Sequence, residues 1–187
     1  AISFDRDNGD YLLLDTYIVL SGDFEMMFDL TSNISDNSQM LASSIGVGLS
    51  RISLFNSGKI YYQTETDALY LSVSFKLPVT GSFVYEIKRV GNDTMFYVDG
   101  ALVDTISGYN GDIIINRICN WSSAFFDGSI RSFTLGGETY LLREGQGITT
   151  KSESGNTTAT LNTSHVDGSS YIDTMWEKES SKYIDYN

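Results

Sequence analysis

The fold is decided by residues 83–107, which read FVYEIKRVGNDTMFYVDGALVDTIS. Apolar side chains occupy every second position at the start of this stretch: Phe83, Tyr85 and Ile87. Successive residues of a strand point to opposite sides, so this spacing predicts a strand with one buried face. Breaks at residues 91–93 and at Asp99-Gly100 divide the stretch into three strands. Asp-Gly favours a two-residue type I′ turn, because Gly adopts positive φ without strain and Asp tolerates it.

The alternation of apolar and polar residues recurs outside this stretch. It is clear at residues 24–30 and 69–75, and each segment predicts a strand with one core face. Residues 113–118 are mostly apolar, as in a strand that is buried on both faces. Because no segment carries a sustained helical stripe, the chain predicts an all-β fold, an antiparallel two-sheet sandwich of the jelly-roll type.

Composition and charge exclude several classes of function. The 187 residues are enough for one large core, and 12 Tyr and 10 Phe favour strands. The net charge of −12 argues against nucleic acid and anionic lipid as partners, because both require basic patches. No segment is long and apolar enough to cross a bilayer, so we expect no membrane insertion. The acidic excess is interpreted either as a solvated surface or as a source of ligands for divalent cations.

Nucleophilic chemistry has few candidates in this sequence. Cys119 is the single cysteine, so no intrachain disulfide forms, and its place after an apolar run predicts a buried structural thiol. The single histidine, His165, lies in the polar C-terminal region. Neither a Cys-His pair nor a serine triad is therefore available in the main domain.

The composition changes at Glu144, and this change predicts a domain boundary. We assign residues 1–143 to the sandwich and residues 144–187 to an irregular C-terminal extension, which is polar at first and cannot bury much apolar surface. The end of the extension is aromatic, with Tyr171, Trp176, Tyr183 and Tyr186. Large aromatic side chains are costly to leave in water, so we predict a docking segment in which these four residues mediate assembly with a neighbouring subunit.

Three motifs carry a resemblance to a known superfamily. The opening stretch follows the pattern Y-x-x-x-R-x-G … Y-V-D-G-x-L-V through Tyr85, Arg89, Gly91, Tyr97, Val98, Asp99, Gly100, Leu102 and Val103. Residues 126–133 follow the pattern F-x-G-x-I-x-x-F, and residues 22–24 read G-D-F. In this order the motifs resemble the concanavalin A-like lectin/glucanase superfamily, in its laminin G-like branch, over roughly residues 1–143. The resemblance implies a β-sandwich more directly than an activity, since one fold hosts many functions.

The extension resembles segments that follow this fold in bacteriophage and bacterial surface proteins, through the pattern E-G-x-G … S-G-N at residues 144–156. The resemblance implies a non-enzymatic virion surface or structural protein, of the tail fibre or capsid decoration type, located on the virion surface or outside the cell. Its expected partners are other virion proteins or further copies of itself, and possibly a cell-surface glycan. The alternatives are a secreted cellular glycan-binding module and a divergent glucanase.

The glucanase members of this superfamily use paired carboxylates on one strand, in an arrangement such as E-x-D-x-x-E. The nearest candidates here are Glu25 and Asp29, with Met27 where the motif has Asp. Glu86 stands alone on its strand. Because retaining and inverting glycosidases both need two carboxylates, the resemblance does not extend to the enzyme, and we predict that no catalytic residue is present.

Lectin members bind sugars at loops, through Asp, Asn, backbone amides and an aromatic ring. The best candidates here are two pairs of neighbours: Tyr109 with Asn110, and Asn120 with Trp121. An exposed ring packs on the apolar face of a sugar while amides pair with its hydroxyls. The alternative is that Trp121 and Phe125 close one end of the sandwich.

The resemblance implies no required cofactor. Calcium is a possible ligand, because it often lies beside the sugar in lectin members. Residues 5–10, which read DRDNGD, superficially resemble a calcium loop. The Gly falls one place too early and no Glu closes the loop at the required distance. We therefore predict a plain turn there, and the sequence assigns no metal ligand.

Overall fold

The computed structural model describes residues 1–33, 38–44, 50–55, 58–66, 70–71, 80–121, 124–143, 148–163 and Met175. Within these residues the backbone forms strands, turns and loops, with helical conformation at Met175 alone. Two antiparallel sheets pack face to face as a sandwich. The predicted all-β sandwich of jelly-roll type is confirmed.

The first sheet contains seven strands, which are numbered along the chain. They are β1 (Ile2–Phe4), β3 (Phe24–Asn33), β8 (Thr80–Val90), β9 (Asp93–Val98), β10 (Ala101–Ser107), β14 (Gly128–Leu135) and β15 (Glu138–Tyr140). Their order in the sheet is β1-β14-β3-β8-β9-β10, and β15 pairs with the far end of β14, on the side that β1 occupies at the near end.

The second sheet contains eight strands. They are β2 (Tyr11–Leu20), β4 (Ser38–Ser43), β5 (Arg51–Phe55), β6 (Ile60–Gln63), β7 (Tyr70–Leu71), β11 (Ile113–Ile118), β16 (Thr149–Lys151) and β17 (Thr158–Asn162). Their order is β16-β17-β2-β11-β4-β5-β6-β7. A separate small hairpin pairs β12 (Asn120–Trp121) with β13 (Ala124–Phe125).

The predicted three-stranded series is strands β8, β9 and β10, which pair in sequence order. At the second turn φ is 50° at Asp99 and 77° at Gly100, so both central residues have positive φ, as a type I′ turn requires. The Asp99 carboxylate accepts a hydrogen bond from the Val84 amide at 2.9 Å, and the Asp99 amide donates to the Val84 carbonyl at 2.9 Å. The predicted turn is confirmed, and its side chain also fixes the neighbouring strand.

The core lies between the two sheets and is lined by the inward positions of each strand. On β3 these are Met26, Phe28 and Leu30, which are wholly buried. Tyr62 of the second sheet meets Phe96 of the first edge to face, with ring centroids 5.5 Å apart. Such aromatic pairs stabilise a core beyond the burial of their area. Cys119 is also buried, which confirms the structural thiol, and burial raises its pKa well above the ordinary value.

The sandwich continues beyond the predicted boundary at Arg143, and the extension is not irregular over its first part. Strand β17 pairs with β2 in the second sheet, and its Ala159 and Leu161 are buried in the core. The Glu153 amide donates to the Thr139 carbonyl at 2.7 Å, and the Tyr140 hydroxyl donates to Thr157 Oγ1. The composition of the segment is polar because the outward positions of β17 are Thr and Asn. Two small or medium-sized apolar side chains are enough to bury the inward face of a strand near the edge of the sheet.

The aromatic end of the extension, Tyr171, Trp176, Tyr183 and Tyr186, lies outside the described residues. Met175 is described, and it is buried within the core cluster of the same chain. The chain therefore returns to its own sandwich one residue before Trp176. Assembly through the four aromatic residues stays a prediction.

A chain that ends at residue 143 is expected to be much less stable than the full chain. It loses β16 and β17, which leaves Leu12, Leu14 and Tyr140 exposed where Ala159, Leu161 and Thr157 contact them. Loss of several kcal/mol lowers the melting temperature by roughly 10 °C in a protein of this size. A chain that ends at residue 163 keeps both strands and serves as the matched control. Equal melting temperatures for the two shortened chains, measured by calorimetry, would show that the strands do not stabilise the sandwich.

Gly128 occupies a position that no other residue fits. Its φ is 147°, and a Cβ there would lie 2.1 Å from the Thr31 carbonyl oxygen on the paired strand β3. We expect Gly128→Ala to lower the free energy of unfolding by about 3 kcal/mol, because backbone must move to relieve the contact. The control is Gly137→Ala, where φ is also positive but nothing lies within 4 Å, and where the cost is about 1 kcal/mol. Denaturant unfolding measures both, and similar losses would refute the steric explanation.

Candidate functional site

Arg89 lies at the end of the sandwich where the chain passes from β2 to β3 and from β10 to β11. Its contacts hold these two connections together. The side chain is 1% exposed, yet it carries a permanent charge. Its Nε donates to the Gly22 carbonyl at 2.7 Å, and its Nη1 donates to the Gly111 carbonyl at 2.8 Å. Longer bonds of 3.4 Å reach the carbonyls of Tyr109 and Leu20. Every one of these acceptors is a main-chain carbonyl, so the guanidinium is solvated by backbone rather than by a carboxylate.

These contacts link parts of the chain that are distant in sequence. Arg89 stands on β8 of the first sheet, whereas Leu20 ends β2 of the second sheet. Residues 109–111 belong to the loop that carries the chain from one sheet to the other. The Phe24 ring lies 4.6 Å from the guanidinium carbon, which adds a cation–π contact. Arg89 therefore fixes the position of the loop that bears the predicted residues Tyr109 and Asn110.

Two exposed asparagines meet on the surface above Arg89, and we call them the asparagine pair. Asn110 Nδ2 donates to Asn92 Oδ1 at 2.9 Å, and the Gly108 amide donates to the Asn92 carbonyl at 3.0 Å. Within the described residues, no bond occupies Asn92 Nδ2 or Asn110 Oδ1. One amide donor and one amide acceptor thus lie side by side, which suits a sugar hydroxyl because a hydroxyl both donates and accepts.

The surroundings of the asparagine pair are polar and held by further hydrogen bonds. Ser107 Oγ donates to Asp93 Oδ1 at 2.5 Å, and the Gly91 amide donates to Asp23 Oδ1 at 2.7 Å. Tyr109 is half-buried and packs against the core, so its ring is fixed next to Asn110. Tyr109 and Asn110 lie on an outer loop, and Asn92, which the sequence did not indicate, lies beside them; that these residues bind a sugar stays a prediction.

The second predicted pair, Asn120 with Trp121, lies at the other end of β11. That strand has six residues, which corresponds to about 20 Å, so the structure does not bring the two predicted pairs together. Asn120 is 1% exposed, and its Oδ1 accepts a hydrogen bond from Arg117 Nη1 at 2.7 Å. Its carbonyl accepts from Ser43 Oγ. Asn120 therefore orients Arg117 rather than facing solvent.

Trp121 pairs with Ala124 in the small hairpin, and the side chain of Trp121 lies outside what the structure describes. The predicted alternative, in which Trp121 and Phe125 close one end of the sandwich, stays a prediction for Trp121. Phe126 is wholly buried and packs edge to face on Phe4, with ring centroids 6.4 Å apart, whereas Phe125 is only half-buried.

The carboxylates considered for hydrolysis lie on the outer face of the first sheet. Asp29 is bound by Arg131, whose Nε lies 2.9 Å from both carboxylate oxygens. Glu86 is the single carboxylate of β8, as predicted, but the pairing of β3 with β8 sets it opposite Met27 and brings Glu25 to a diagonal position. Burial, and then the charge of Glu25, raises the pKa of Glu86, while Lys88 lowers it. A carboxyl with a raised pKa is a usual general acid, but the second carboxylate of such a pair, Glu25, lies 3.9 Å from Lys88 Nζ.

Residues 5–10 form a turn, as predicted. The Gly9 amide donates to the Arg6 carbonyl at 3.1 Å, and the Asp5 amide donates to Asp10 Oδ2 at 2.9 Å. Asp5 Oδ1 and Oδ2 accept bonds from the Asp7 amide and from Asn8 Nδ2. Within the part of the chain that the structure describes, no group of three or more His, Cys, Asp or Glu side chains could hold a metal ion. Likewise, no helix among the described residues is long and apolar enough to span a membrane.

Solved structures share this fold. A candidate carbohydrate-binding protein from Bacteroides ovatus is similar with a TM-score of 0.61 and 14% identity, over 87% of this chain and 57% of that one. The heptameric SAP-like pentraxin from Limulus polyphemus is similar with a TM-score of 0.53 and 9% identity, over 71% and 72% of the two chains. Domains LG4-5 of mouse laminin alpha1 match more weakly, with a TM-score of 0.45 and 14% identity, over 68% and 41% of the chains.

The first two similarities confirm the concanavalin A-like fold that the motifs predict. Identities this low show a shared fold and leave function to the site. This chain spans 57% of the length of the Bacteroides ovatus protein. No protein-family model and no curated protein sequence matches it.

Replacing Arg89 should unfold the end of the sandwich that carries the asparagine pair. Arg89→Met removes the buried guanidinium that bonds the carbonyls of Gly22 and Gly111, and we expect the free energy of unfolding to fall by about 3 kcal/mol. Lys88→Met on the same strand is the control, because Lys88 is half-exposed and its loss should change stability little. Denaturant unfolding compares the two variants, and equal stability would mean that the buried guanidinium is dispensable.

Proposed function

We propose that the chain is a non-enzymatic glycan-binding domain and that the asparagine pair with Tyr109 contacts the sugar. The observation that carries the proposal is the Asn110–Asn92 hydrogen bond of 2.9 Å on two exposed loops. This bond holds one free amide donor and one free amide acceptor at a fixed spacing. A sugar that bridges them replaces two water contacts without ordering either side chain, and a site that is already ordered loses less entropy on binding.

Tyr109 supports the site in two ways. Its backbone carbonyl is bound by the buried Arg89, and its ring packs on the core. The loop therefore has little freedom to move when a ligand arrives. The exposed part of a fixed aromatic ring beside polar groups is the usual composition of a sugar site, because the ring covers C–H groups while the amides pair with hydroxyls. The similarity to a candidate carbohydrate-binding protein agrees with this proposal without proving it.

The charges around the asparagine pair favour a neutral glycan there. Asp23 and Asp93 flank the pair, and the whole chain carries a net charge of −12. A sialylated or sulfated sugar would meet two nearby carboxylates of like charge. We infer that the asparagine pair binds uncharged hydroxyl-rich units.

We further propose that the bound glycan is not cleaved. Asp29 is neutralised by Arg131, and Glu25 faces Lys88, so among the described residues of β3 and β8 Glu86 has no independent second carboxylate. Glycosidases of both stereochemical classes need two. The domain is then an adhesive or structural unit of a virion or another extracellular surface, which assembles with virion proteins or with further copies of itself. Support for this setting is the motif resemblance and the aromatic end of the chain, and calcium remains a possible addition to the site.

The test is a glycan array followed by titration calorimetry on the purified chain. Asn92→Ala and Asn110→Ala should each weaken binding of the selected neutral glycan about fivefold to tenfold. Each substitution removes one hydrogen bond to the sugar and also the bond that orients the other asparagine. Asn156→Ala is the matched control, since Asn156 is exposed and hydrogen-bonded to Glu138 on a distant turn.

Three outcomes separate the parts of the proposal. Unchanged binding in both loop variants places the sugar elsewhere on the chain. Absence of any bound glycan on the array contradicts the function itself. Shortened glycan after prolonged incubation, detected by chromatography and lost in Glu86→Gln, contradicts the non-enzymatic assignment.

A further inference from the structure

Glu86 stands on the outer face of the first sheet, between an apolar and an aromatic side chain. In the register of the sheet it lies opposite Met27 of β3 on one side and opposite Tyr97 of β9 on the other. Their chain neighbours Ile87 and Phe96 are wholly buried in the core. The alternation of a strand therefore directs Glu86 and Tyr97 outward. Opposed residues of antiparallel strands have Cβ atoms about 5 Å apart, so this carboxylate and this ring lie side by side, and we call them the glutamate–tyrosine pair.

The surface around the glutamate–tyrosine pair is open. Glu86 and Tyr97 are both partly exposed. None of the outward residues that surround the pair is buried, and they are Glu25, Met27, Val84, Lys88, Met95 and Leu102. Leu102 lies opposite Tyr97 on β10 and is 56% exposed. The pair therefore belongs to one continuous face, which a ligand can reach from solvent.

Among the described residues, the carboxylate of Glu86 forms no ion pair and no hydrogen bond. Lys88 stands two residues farther along β8, but its Nζ lies 3.9 Å from a carboxylate oxygen of Glu25. Asp29 is bound by Arg131. One ammonium thus serves two carboxylates, which leaves one negative charge on this part of the face. Burial and then Glu25 raise the pKa of Glu86, while Lys88 lowers it, as expected for a carboxylate whose charge is only partly compensated.

Within the part of the chain that the structure describes, no cation lies over the Tyr97 ring, although three other rings carry one. Arginine guanidinium carbons lie 4.5 Å, 4.6 Å and 4.8 Å from the ring centroids of Tyr61, Phe24 and Tyr11. The Tyr97 hydroxyl donates to Met95 Sδ at 3.4 Å, so the ring lies along β9 and over the sheet. A carboxylate and an aromatic ring side by side form a typical surrounding of a bound ammonium group, because both attract positive charge.

We propose that the glutamate–tyrosine pair binds an oligomer of an amino sugar, with the protonated amine of one unit at Glu86 and the ring of that unit on Tyr97. An amino sugar carries its ammonium directly on a rigid ring, so one unit spans the roughly 5 Å between the two side chains. The apolar C–H face of the sugar then packs on Tyr97 and Leu102. A lysine side chain offers the same charge, but it loses the freedom of its flexible bonds on binding, which favours the rigid sugar. The net charge of −12 attracts a cationic oligomer to the protein.

This site goes beyond the neutral-glycan site proposed above and is independent of it. Asn92 lies in the turn after β8, and its distance from Glu86 along the chain corresponds to about 20 Å of extended strand. The glutamate–tyrosine pair lies on the face of the sheet, whereas the asparagine pair lies at the end of the sandwich. Binding at the first requires the negative charge of Glu86, and binding at the second requires only amide groups. Glu86, which lacks an independent second carboxylate for hydrolysis among the described residues of β3 and β8, acts here as a binding residue.

The test uses a chitosan hexamer and its fully N-acetylated form, which has the same sugar chain without charge. Titration calorimetry on the full chain, at a slightly acidic pH where the sugar amine is protonated, should detect binding of the amine and not of the acetamide. Binding should weaken as salt rises, because salt screens exposed charges. Glu86→Gln should weaken binding about fivefold. Glu153→Gln is the matched control, since Glu153 is exposed on the turn between β16 and β17 and its loss should leave binding unchanged.

Further variants make the result decisive. Tyr97→Phe keeps the ring and should bind as the unchanged chain does, whereas Tyr97→Leu should bind about fivefold more weakly. Lys88→Gln removes a like charge and releases Glu25, so it should strengthen binding, which a loss of folding cannot imitate. Asn92→Ala should leave binding of the amine unchanged, which separates this site from the neutral one. Equal binding of the two hexamers, absence of binding to the amine, or unchanged binding in Glu86→Gln each overturns the proposal. Equal binding of a lysine hexapeptide overturns the assignment to an amino sugar.

Discussion

The structure of the end of the sandwich that carries the asparagine pair depends on the buried guanidinium of Arg89. A permanent charge inside a protein must be surrounded by acceptors, and here four backbone carbonyls provide them, one from β2 of the second sheet and three from the two loops that connect the sheets. Each carbonyl oxygen has to stay within hydrogen-bond distance of the guanidinium. The same contacts therefore close this end of the sandwich and fix the position of the Tyr109 loop. The exposed asparagine pair is ordered because the layer beneath it cannot shift.

Much of the fold could be predicted because its signals are local. The alternation at Phe83, Tyr85 and Ile87 sets one strand, and Asp99-Gly100 sets the turn that follows. The strands after Arg143 could not be found in this way. Their buried side chains are few, and Ala159 and Leu161 become core residues only because β2 offers an unpaired edge to β17. Whether a weak apolar pattern forms a strand depends on that partner, which the sequence does not reveal locally.

Only the part of the candidate site that has a local sequence signal could be predicted. Tyr109 and Asn110 are adjacent in sequence, so a loop rich in polar residues identifies them, whereas Asn92 joins them only through the pairing of β9 with β10. Asn120 has the composition of a ligand but is buried, since Arg117 requires an acceptor there. Arg51 and Arg117 come into one row only through the register of three strands, and no spacing along the chain relates them.

The charges that lie closest to the asparagine pair decide which ligands it favours. A net charge of −12 repels anions at long range, but the Debye length at physiological salt is about 8 Å, so only nearby charges act on a ligand at the surface. The asparagine pair is flanked by the exposed carboxylates of Asp23 and Asp93, which disfavour acidic sugars, whereas the Arg89 guanidinium beneath it is buried and enclosed by backbone carbonyls. We infer that a neutral, hydroxyl-rich ligand is favoured at the asparagine pair, because it meets no repulsion from the two carboxylates and pairs with the amide groups of both asparagines.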